Sequence, residues 1–159
     1  MNLRAYDVYH LGVSGGKDST AVLLWLVYES GLPKERFVVT FCDTGNEDPL
    51  TYAFLGILSE HVFPIQTIHP REDFWQLAKR KGRFPSRKAR FCTQFLKIIP
   101  SREFVLGLLR DGKSVLALNG VRRDEGRVGN NRGDAPAFEF DTGLGCDVYR
   151  PILDWSIED

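Results

Sequence analysis

The chain has 159 residues, 43% of them hydrophobic, and its 21 basic residues are balanced by 21 acidic ones. This length and apolar content predict a single domain spanning residues 1–159, with too little chain for a second core. A net charge of zero excludes a protein that attracts polyanions through its overall charge, so any basic surface must be local.

The first predicted unit is a strand, a glycine turn and a helix. Apolar runs over residues 6–13 and 20–28 flank the hexapeptide Ser14 to Ser19, which we call the glycine loop. Its adjacent glycines let backbone N–H groups approach an anion at a helix start, and Lys17 adds a positive charge. The unit therefore predicts a phosphate site, and the alternative is a capped turn that binds nothing.

Strand and helix patterns alternate through the middle of the chain. Three segments have the composition of buried strands, at 37–42, 62–68 and 114–119. Three others have apolar residues at helical spacing, at 49–60, 72–81 and 101–110. Pro64 cannot donate to a ladder, so its strand is expected at an edge. The alternation predicts an α/β fold with a doubly wound, mainly parallel sheet of the Rossmann-like kind.

Two polar loops follow predicted parallel strands and are therefore expected at the sheet edge that carries the glycine loop. Asp43 and Thr44 follow the second strand, and the loop Gly120 to Arg127 follows the fourth. The second loop contains three arginines, which are Arg122, Arg123 and Arg127. Arginine forks fit phosphate or sulfate, and they equally fit the neighbouring carboxylates Asp124 and Glu125.

The basic segment, Lys79 to Arg90, is the strongest charge block, because seven of its twelve residues are basic and none is acidic. It is either a solvated loop or a flap that contacts phosphate, sulfate or nucleic acid, with Phe84 able to stack on a base. Cys92 follows at a predicted helix start. Nearby positive charge favours a thiolate, so Cys92 is either a sulfur carrier or nucleophile, or a small buried hydrophobe.

The three cysteines are odd in number and include no C-x-x-C pair, which predicts a reducing compartment and argues against structural zinc. Cys42 in the second strand and Cys146 in a Gly-rich loop are interpreted as structural or incidental. Residues 128–145 are expected to form a long irregular connection that includes a short strand at 138–140. No leader or long apolar run is present, so a cytoplasmic protein that does not enter membranes is expected. Ser156 resembles the start of a capped helix, which predicts a C-terminally truncated piece of a longer chain.

Four stretches, in order, resemble the phosphoadenosine phosphosulfate (PAPS) reductase-like branch of the PP-loop ATP pyrophosphatase superfamily. They are the glycine loop, Asp43 to Gly45 with Tyr52, Gly120 to Glu125, and Arg150 to Trp155. Arg90 to Pro100 is most similar to members that act in DNA phosphorothioation and to related phage proteins. Gly126 departs from the family, which commonly has Ser there. The resemblance implies the adenine nucleotide alpha hydrolase-like fold.

Roles for individual residues follow from this resemblance. The residues expected to bind an adenine nucleotide are Ser14, Gly15, Gly16, Lys17, Asp18, Ser19 and Gly120, with Asp43 and Thr44 near the ribose or a Mg²⁺ ion. The residues expected around a substrate phosphate or sulfate are Lys97, Arg122, Arg123 and Arg127. Lys17 and Cys92 are the catalytic candidates. The implied activity is ATP-dependent adenylation with pyrophosphate release, in sulfur metabolism or nucleic-acid sulfur modification.

Two other functions remain open at this point. One is a reductase acting on PAPS or its unphosphorylated relative with thioredoxin, although reductases of this family have their nucleophilic cysteine in a C-terminal tail that this sequence does not show. The other is a nucleotide-binding subunit without turnover, in a homo-oligomer or larger assembly. A sulfur donor protein and nucleic acid, through the basic segment, are the other expected partners. Neither a protein-held metal nor an iron–sulfur cluster is expected, because three cysteines alone cannot ligate a typical cluster.

Overall fold

The computed structural model describes residues 3–86, 88–123 and 136–158. Six strands form one sheet with the order β3-β2-β1-β4-β6-β5. The strands are β1 (Val8–Val13), β2 (Phe37–Cys42), β3 (Ile65–Ile68), β4 (Val115–Leu118), β5 (Phe138–Asp141) and β6 (Cys146–Tyr149). Neighbouring strands are parallel except β5 and β6. The predicted α/β fold with a mainly parallel sheet is confirmed, and β3 lies at the predicted edge.

Helices connect the parallel strands. They are α1 (Lys17–Leu24), α2 (Pro49–His61), α3 (Phe74–Lys81), α4 (Phe91–Thr93) and α5 (Ile99–Arg110). A wide π-turn, Trp25–Glu29, extends α1, and another, Gln94–Ile98, joins α4 to α5. Short 3₁₀ turns lie at Leu3–Ala5 and Lys34–Arg36.

Local sequence explains where two of these helices begin. The side chain of Asp48 accepts a hydrogen bond from the Leu50 amide, and Pro49 occupies the first turn, where its missing N–H has no cost. Asp73 and Gln76 form a reciprocal capping box at the start of α3. These polar caps satisfy backbone donors that would otherwise lack partners.

The core forms on both sides of β1. In one cluster, leucines of α1 and α2 such as Leu23 and Leu55 pack against Leu11. In the other, Val105 of α5 packs with Val8 and Val148. Each strand residue of β1 except Gly12 is buried, as expected for a central parallel strand covered on both faces.

The C-terminal part of the sheet differs from the prediction. Residues 146–149 form β6, and Cys146 is buried in it, so the placement of Cys146 in a Gly-rich loop is wrong. Burial, together with nearby Asp141, raises the pKa of the Cys146 thiol to about 11. The four-residue strand lacks a clear pattern of its own and depends on pairing with β4 and β5.

His10 is a buried polar residue in the centre of β1. Its side chain is 4% exposed, its Nε2 lies 2.9 Å from the hydroxyl of Thr40, and its ring packs on Phe104. Burial disfavours the charged ring and lowers the pKa of His10 to about 4.

We expect this burial to make stability fall as the solution becomes acidic. Between about pH 6.5, where unfolded His10 titrates, and about pH 4, the unfolded state binds the extra proton, so stability is lost as pH falls. The loss should be on the order of 3 kcal/mol. Urea unfolding at neutral and acidic pH should show a smaller loss in His10→Gln than in the wild type. His61→Gln, which changes an exposed histidine, should behave as wild type. Equal acid sensitivity in all three proteins would contradict the assignment to His10.

Candidate active site

The glycine loop joins the end of β1 to the start of α1. Gly15 has a φ of +74°, which a residue with a side chain rarely adopts, and Gly16 is the helix N-cap without a side-chain cap. The hydroxyl of Ser19 accepts from the Ser14 amide at 3.2 Å and donates to the Gly16 carbonyl at 3.0 Å. The loop is thus held by its own serines, and no side chain caps the first turn of α1, whose amides have no acceptor within the helix.

Gly120, which follows β4, lies directly against the backbone of the glycine loop. A Cβ at this position would lie 2.9 Å from the carbonyl oxygen of Asp18 and 3.2 Å from the amide nitrogen of Ser19. Real Cβ atoms do not approach backbone atoms so closely, so only glycine fits without moving the loop. The predicted grouping of Gly120 with the glycine loop therefore has a steric basis.

A polar recess of about 440 Å³ opens over the loop. Its lining residues are Gly12, Ser14, Gly16, Lys17, Asp18, Ser19, Asn119 and Gly120. Lys17 is exposed there and makes no ion pair within the described part of the chain. An anion in this recess would meet backbone amides at a helix start and one positive charge, which is the chemistry of a phosphate site.

A second recess, of about 360 Å³, adjoins the first, because Gly12, Ser14 and Asn119 line both. Phe41, Cys42, Lys97 and Ile98 are among its other lining residues, so its wall is more apolar than that of the loop recess. A polar recess beside an apolar one suits a ligand with a phosphate tail and a planar apolar body.

Lys97 enters this second recess from the π-turn between α4 and α5. Its Nζ lies 3.0 Å from a carboxylate oxygen of Glu47, which also accepts a hydrogen bond from the hydroxyl of Thr44 at 2.9 Å. The Cys42 thiol donates to the Lys97 carbonyl across 3.7 Å. Burial raises the pKa of Cys42 against the opposing effect of Lys97, which keeps this thiol neutral at pH 7.

Asp43 and Thr44 follow β2 and line neither of the two adjoining recesses. One Asp43 oxygen accepts hydrogen bonds from the Gly45 amide at 2.9 Å and from the Tyr52 hydroxyl at 2.6 Å. That bond raises the pKa of Tyr52. Asp43 lines a separate recess of about 270 Å³ between β2, β3 and α2, and Thr44 is buried. The pair therefore shapes the end of β2, and a role toward a ribose or metal stays a prediction.

Arg122 forms a buried ion pair with the glycine loop. Its Nε lies 2.7 Å from a carboxylate oxygen of Asp18, and the two side chains are only 7% and 17% exposed. Its Nη1 is buried with no hydrogen-bond partner among the described residues. The pair joins the loop after β4 to the first turn of α1, and Arg122 itself does not line the loop recess.

Removing one member of this pair should leave an uncompensated buried charge. We expect Asp18→Asn to lower the free energy of unfolding by about 3–5 kcal/mol. Asp154→Asn is the matched control, because it breaks the exposed Arg123–Asp154 pair, which should be worth about 0–1 kcal/mol. Urea unfolding measures both. Losses of similar size would contradict the inference that the Arg122–Asp18 pair is isolated from water.

The remaining predicted residues lie elsewhere. The side chain of Arg123 is 46% exposed and bonds Asp154 at 2.6 Å. Arg127 lies outside the described residues. Cys92 is half-buried in α4 and is absent from the lining of both recesses. Among the described residues, no group of three His, Cys, Asp or Glu side chains could hold a metal ion.

Sequence reasoning missed four residues at this site: Gly12, Cys42, Glu47 and Asn119. Cys42 and Asn119 stand at the carboxyl ends of β2 and β4, where open α/β sheets bind ligands, so their positions were a usable signal. Gly12 is the exposed residue of β1, which reflects the open recess above it. Nothing in the local sequence indicates the contact of Glu47 with Lys97.

Comparisons with known proteins agree with this geometry. The family model described as the phosphoadenosine phosphosulfate reductase domain matches residues 9–159. An uncharacterized protein of Escherichia phage 186 is 32% identical over 94% of this chain and 57% of its own length. The adenosine 5'-phosphosulfate reductase of Neisseria meningitidis is 32% identical over 63% of this chain and 41% of its own. The chain therefore spans less than two thirds of these relatives.

A solved structure shares the fold. The phosphoadenylyl-sulfate (PAPS) reductase of Candida auris, determined as a phosphate complex, superimposes with a TM-score of 0.67. The superposition covers 97% of this chain and 70% of that one, at 15% sequence identity. Among the described residues, every helix falls short of the length and apolar character that spanning a bilayer requires.

Proposed function

Because the chain belongs to the phosphoadenosine phosphosulfate reductase domain family, we propose that it binds an adenine nucleotide across the two adjoining recesses. We further propose that ATP is the nucleotide and that its adenylyl group is transferred with release of pyrophosphate. One observation carries the proposal: the glycine loop, Lys17 and Gly120 line a single polar recess that opens into a more apolar one.

The proposed reaction takes place at the α-phosphorus. An acceptor oxygen forms a bond to that phosphorus as the bond to the bridging oxygen breaks, and pyrophosphate leaves with the electron pair. The first-turn amides of α1 and the ammonium of Lys17 would stabilise the negative charge that develops on the leaving group. Lys97 would face the other end of the nucleotide from the second recess.

Magnesium would act with ATP through the phosphates. Mg²⁺ usually keeps several waters and takes one or two protein carboxylates besides phosphate oxygens, so a cluster of three carboxylates is not required. Asp18 lines the loop recess but is already paired with Arg122, and Asp43, the residue suggested by the sequence, lines a separate recess. The phosphates and water would therefore supply most of the ligands of the ion. When bound, the ion would neutralise phosphate charge.

A reductase acting on adenylyl sulfate or PAPS is the second candidate. The similarity to the Neisseria and Candida reductases supports it, and so do the Cys42 thiol and the Lys97 ammonium in the second recess. This reaction would need no ATP, and thioredoxin would supply the electrons for release of sulfite. Cys92 stays a candidate thiol for either reaction.

Two assays on the same purified protein separate these functions. With ATP and Mg²⁺, we expect pyrophosphate and no sulfite. The second assay supplies PAPS or its unphosphorylated relative with reduced thioredoxin. If this assay yields sulfite and the protein has no activity on ATP, the function is reduction and the adenylation proposal is wrong. Tight ATP binding with no turnover would instead indicate a nucleotide-binding subunit.

The variant Cys92→Ala should still release pyrophosphate from ATP. If the variant no longer released pyrophosphate, the Cys92 thiol would be needed for the adenylation step itself.

A further inference from the structure

Three aromatic rings form a cluster on the surface of α3, which we call the aromatic platform: Phe74, Trp75 and Phe84. Phe74 and Phe84 stack with ring centroids 6.4 Å apart, and Trp75 meets Phe84 edge-on at 6.1 Å. Trp75 is 58% exposed and Phe84 is 64% exposed. Large apolar rings with this exposure, grouped together, indicate a surface that meets a ligand.

The fold brings the platform together from two segments. α3 ends at Gly82, which adopts the left-handed conformation with a φ of +65°, and the Arg83 amide then donates to the Ala78 carbonyl. This reversal returns Phe84 to the first turn of α3. The sequence pattern identified Phe84 within the basic segment but did not connect it with Trp75.

Basic residues are concentrated in the part of the sequence that contains the platform. No acidic residue occurs in the sequence between Asp73 and Glu103. Arg80 is bound to Glu72 and, with Lys81, lies over the ring of Phe95. Lys79, Lys88 and Arg90 are exposed and form no ion pair within the described ranges. Although the protein has no net charge, several exposed basic side chains thus occur in the same part of the sequence as the exposed rings.

The platform is also connected to the nucleotide recesses. Arg83 lies over the ring of Phe91, the first residue of α4. The same helical segment continues through the π-turn to Lys97, which lines the second recess. One short helical segment thus joins the residues next to the platform to the wall of the second recess.

We propose that the aromatic platform, with Lys79, Lys88 and Arg90, binds a single strand of nucleic acid. Every base has a face that stacks on an aromatic ring, and phosphates pair with nearby cations, so this combination fits an unpaired strand better than a duplex. Two exposed rings and three exposed cations provide partners for both the bases and the phosphates of such a polymer. DNA and RNA share this chemistry. This surface is separate from the recesses proposed for adenylation, and the binding of nucleic acid to it is measured without ATP.

The first test uses a labelled single strand of about 15 nucleotides, as oligo(dT) and as oligo(U). Fluorescence anisotropy at low salt should show binding of at least one of them, and comparing the two distinguishes DNA from RNA. Trp75→Ala and Phe84→Ala should each weaken binding by about 10-fold, while Trp75→Phe should stay near wild type because it keeps a stacking ring. Tyr28→Ala is the matched control, because Tyr28 is 63% exposed on the extension of α1.

The second test measures salt dependence. Changing Lys79, Lys88 and Arg90 together to Gln should reduce the slope of log affinity against log salt by about 2. The control changes three exposed basic residues elsewhere, Lys34, Arg110 and Lys113, to Gln, and should leave the slope unchanged. Circular dichroism confirms that each variant is folded.

Three outcomes would overturn the proposal. One is the absence of binding of either strand at about 50 mM salt, where phosphate contacts are strong. Another is full competition by ATP or PAPS, which would make the basic segment a lid for a mononucleotide. The last is equal weakening by the platform and control variants, after which an acidic protein partner becomes the better occupant. None of these results depends on whether the protein releases pyrophosphate.

Discussion

Lys17→Ala should lower the rate of pyrophosphate release from ATP by about 100-fold or more. Lys17 is the exposed cation of the loop recess, placed at the first residue of α1 beside the first-turn amides. A positive charge placed before the reaction begins stabilises the transition state without the cost of reorganising water. A coupled pyrophosphate assay under saturating ATP measures the effect directly.

The control for this prediction is Lys34→Ala, which removes an exposed lysine from a turn before β2. It should leave the rate near wild type, and Lys17→Arg, which keeps the charge, should lie between the two. Since Lys17 is exposed and outside both core clusters, the variant should unfold at the same urea concentration as the wild type. Full activity in Lys17→Ala would remove the glycine loop from the proposed reaction.

Gly120→Ala should weaken nucleotide binding by at least about 10-fold, because the new methyl group would collide with the backbone of the glycine loop. The nearest atoms are the Asp18 carbonyl oxygen at 2.9 Å and carbon at 3.0 Å. These are backbone atoms at the start of α1, so relief requires the loop itself to move, and the first-turn amides move with it. Titration with ATP followed by calorimetry measures the affinity.

Gly107→Ala in α5 provides the matched control. A Cβ there meets nothing within 4 Å, and alanine is the better helix former, so this variant should keep its ATP affinity and gain about 0.5–1 kcal/mol of stability. If Gly120→Ala bound ATP as tightly as the wild type, the close approach of β4's end to the loop would not matter for the site. A loss shared by both variants would indicate a general effect of the substitution.

The strand, glycine turn and helix around residues 6–28 could be predicted because their signals are local. Apolar runs and adjacent glycines favour a backbone conformation at their own positions. Capping side chains such as Asp48 and Asp73 likewise accept hydrogen bonds from amides only two or three residues away. The edge position of β3 followed likewise from Pro64. Because the carboxyl ends of parallel strands lie at the same edge of a sheet, the loop after β4 was also predicted to lie near the glycine loop.

The contact partners of charged and aromatic side chains could not be predicted from such local signals. Arg122 pairs with Asp18, 104 residues away, while the adjacent carboxylates Asp124 and Glu125 lie outside the described residues. Lys97 meets Glu47, and Trp75 meets Phe84 only because Gly82 reverses the chain. Such contacts depend on how whole elements pack, which no short pattern encodes.

The amino-acid sequence alone thus determined the α/β alternation, the glycine loop and the sheet edge that carries the site, since hydrophobic period and turn chemistry operate within a few residues. Tertiary structure alone decided the strand β6, the presence of Gly12 in the wall of both recesses, and the buried pairing of Arg122 with Asp18. The physical reason is that strand pairing and desolvation of charges are set by distant parts of the chain meeting in a packed core.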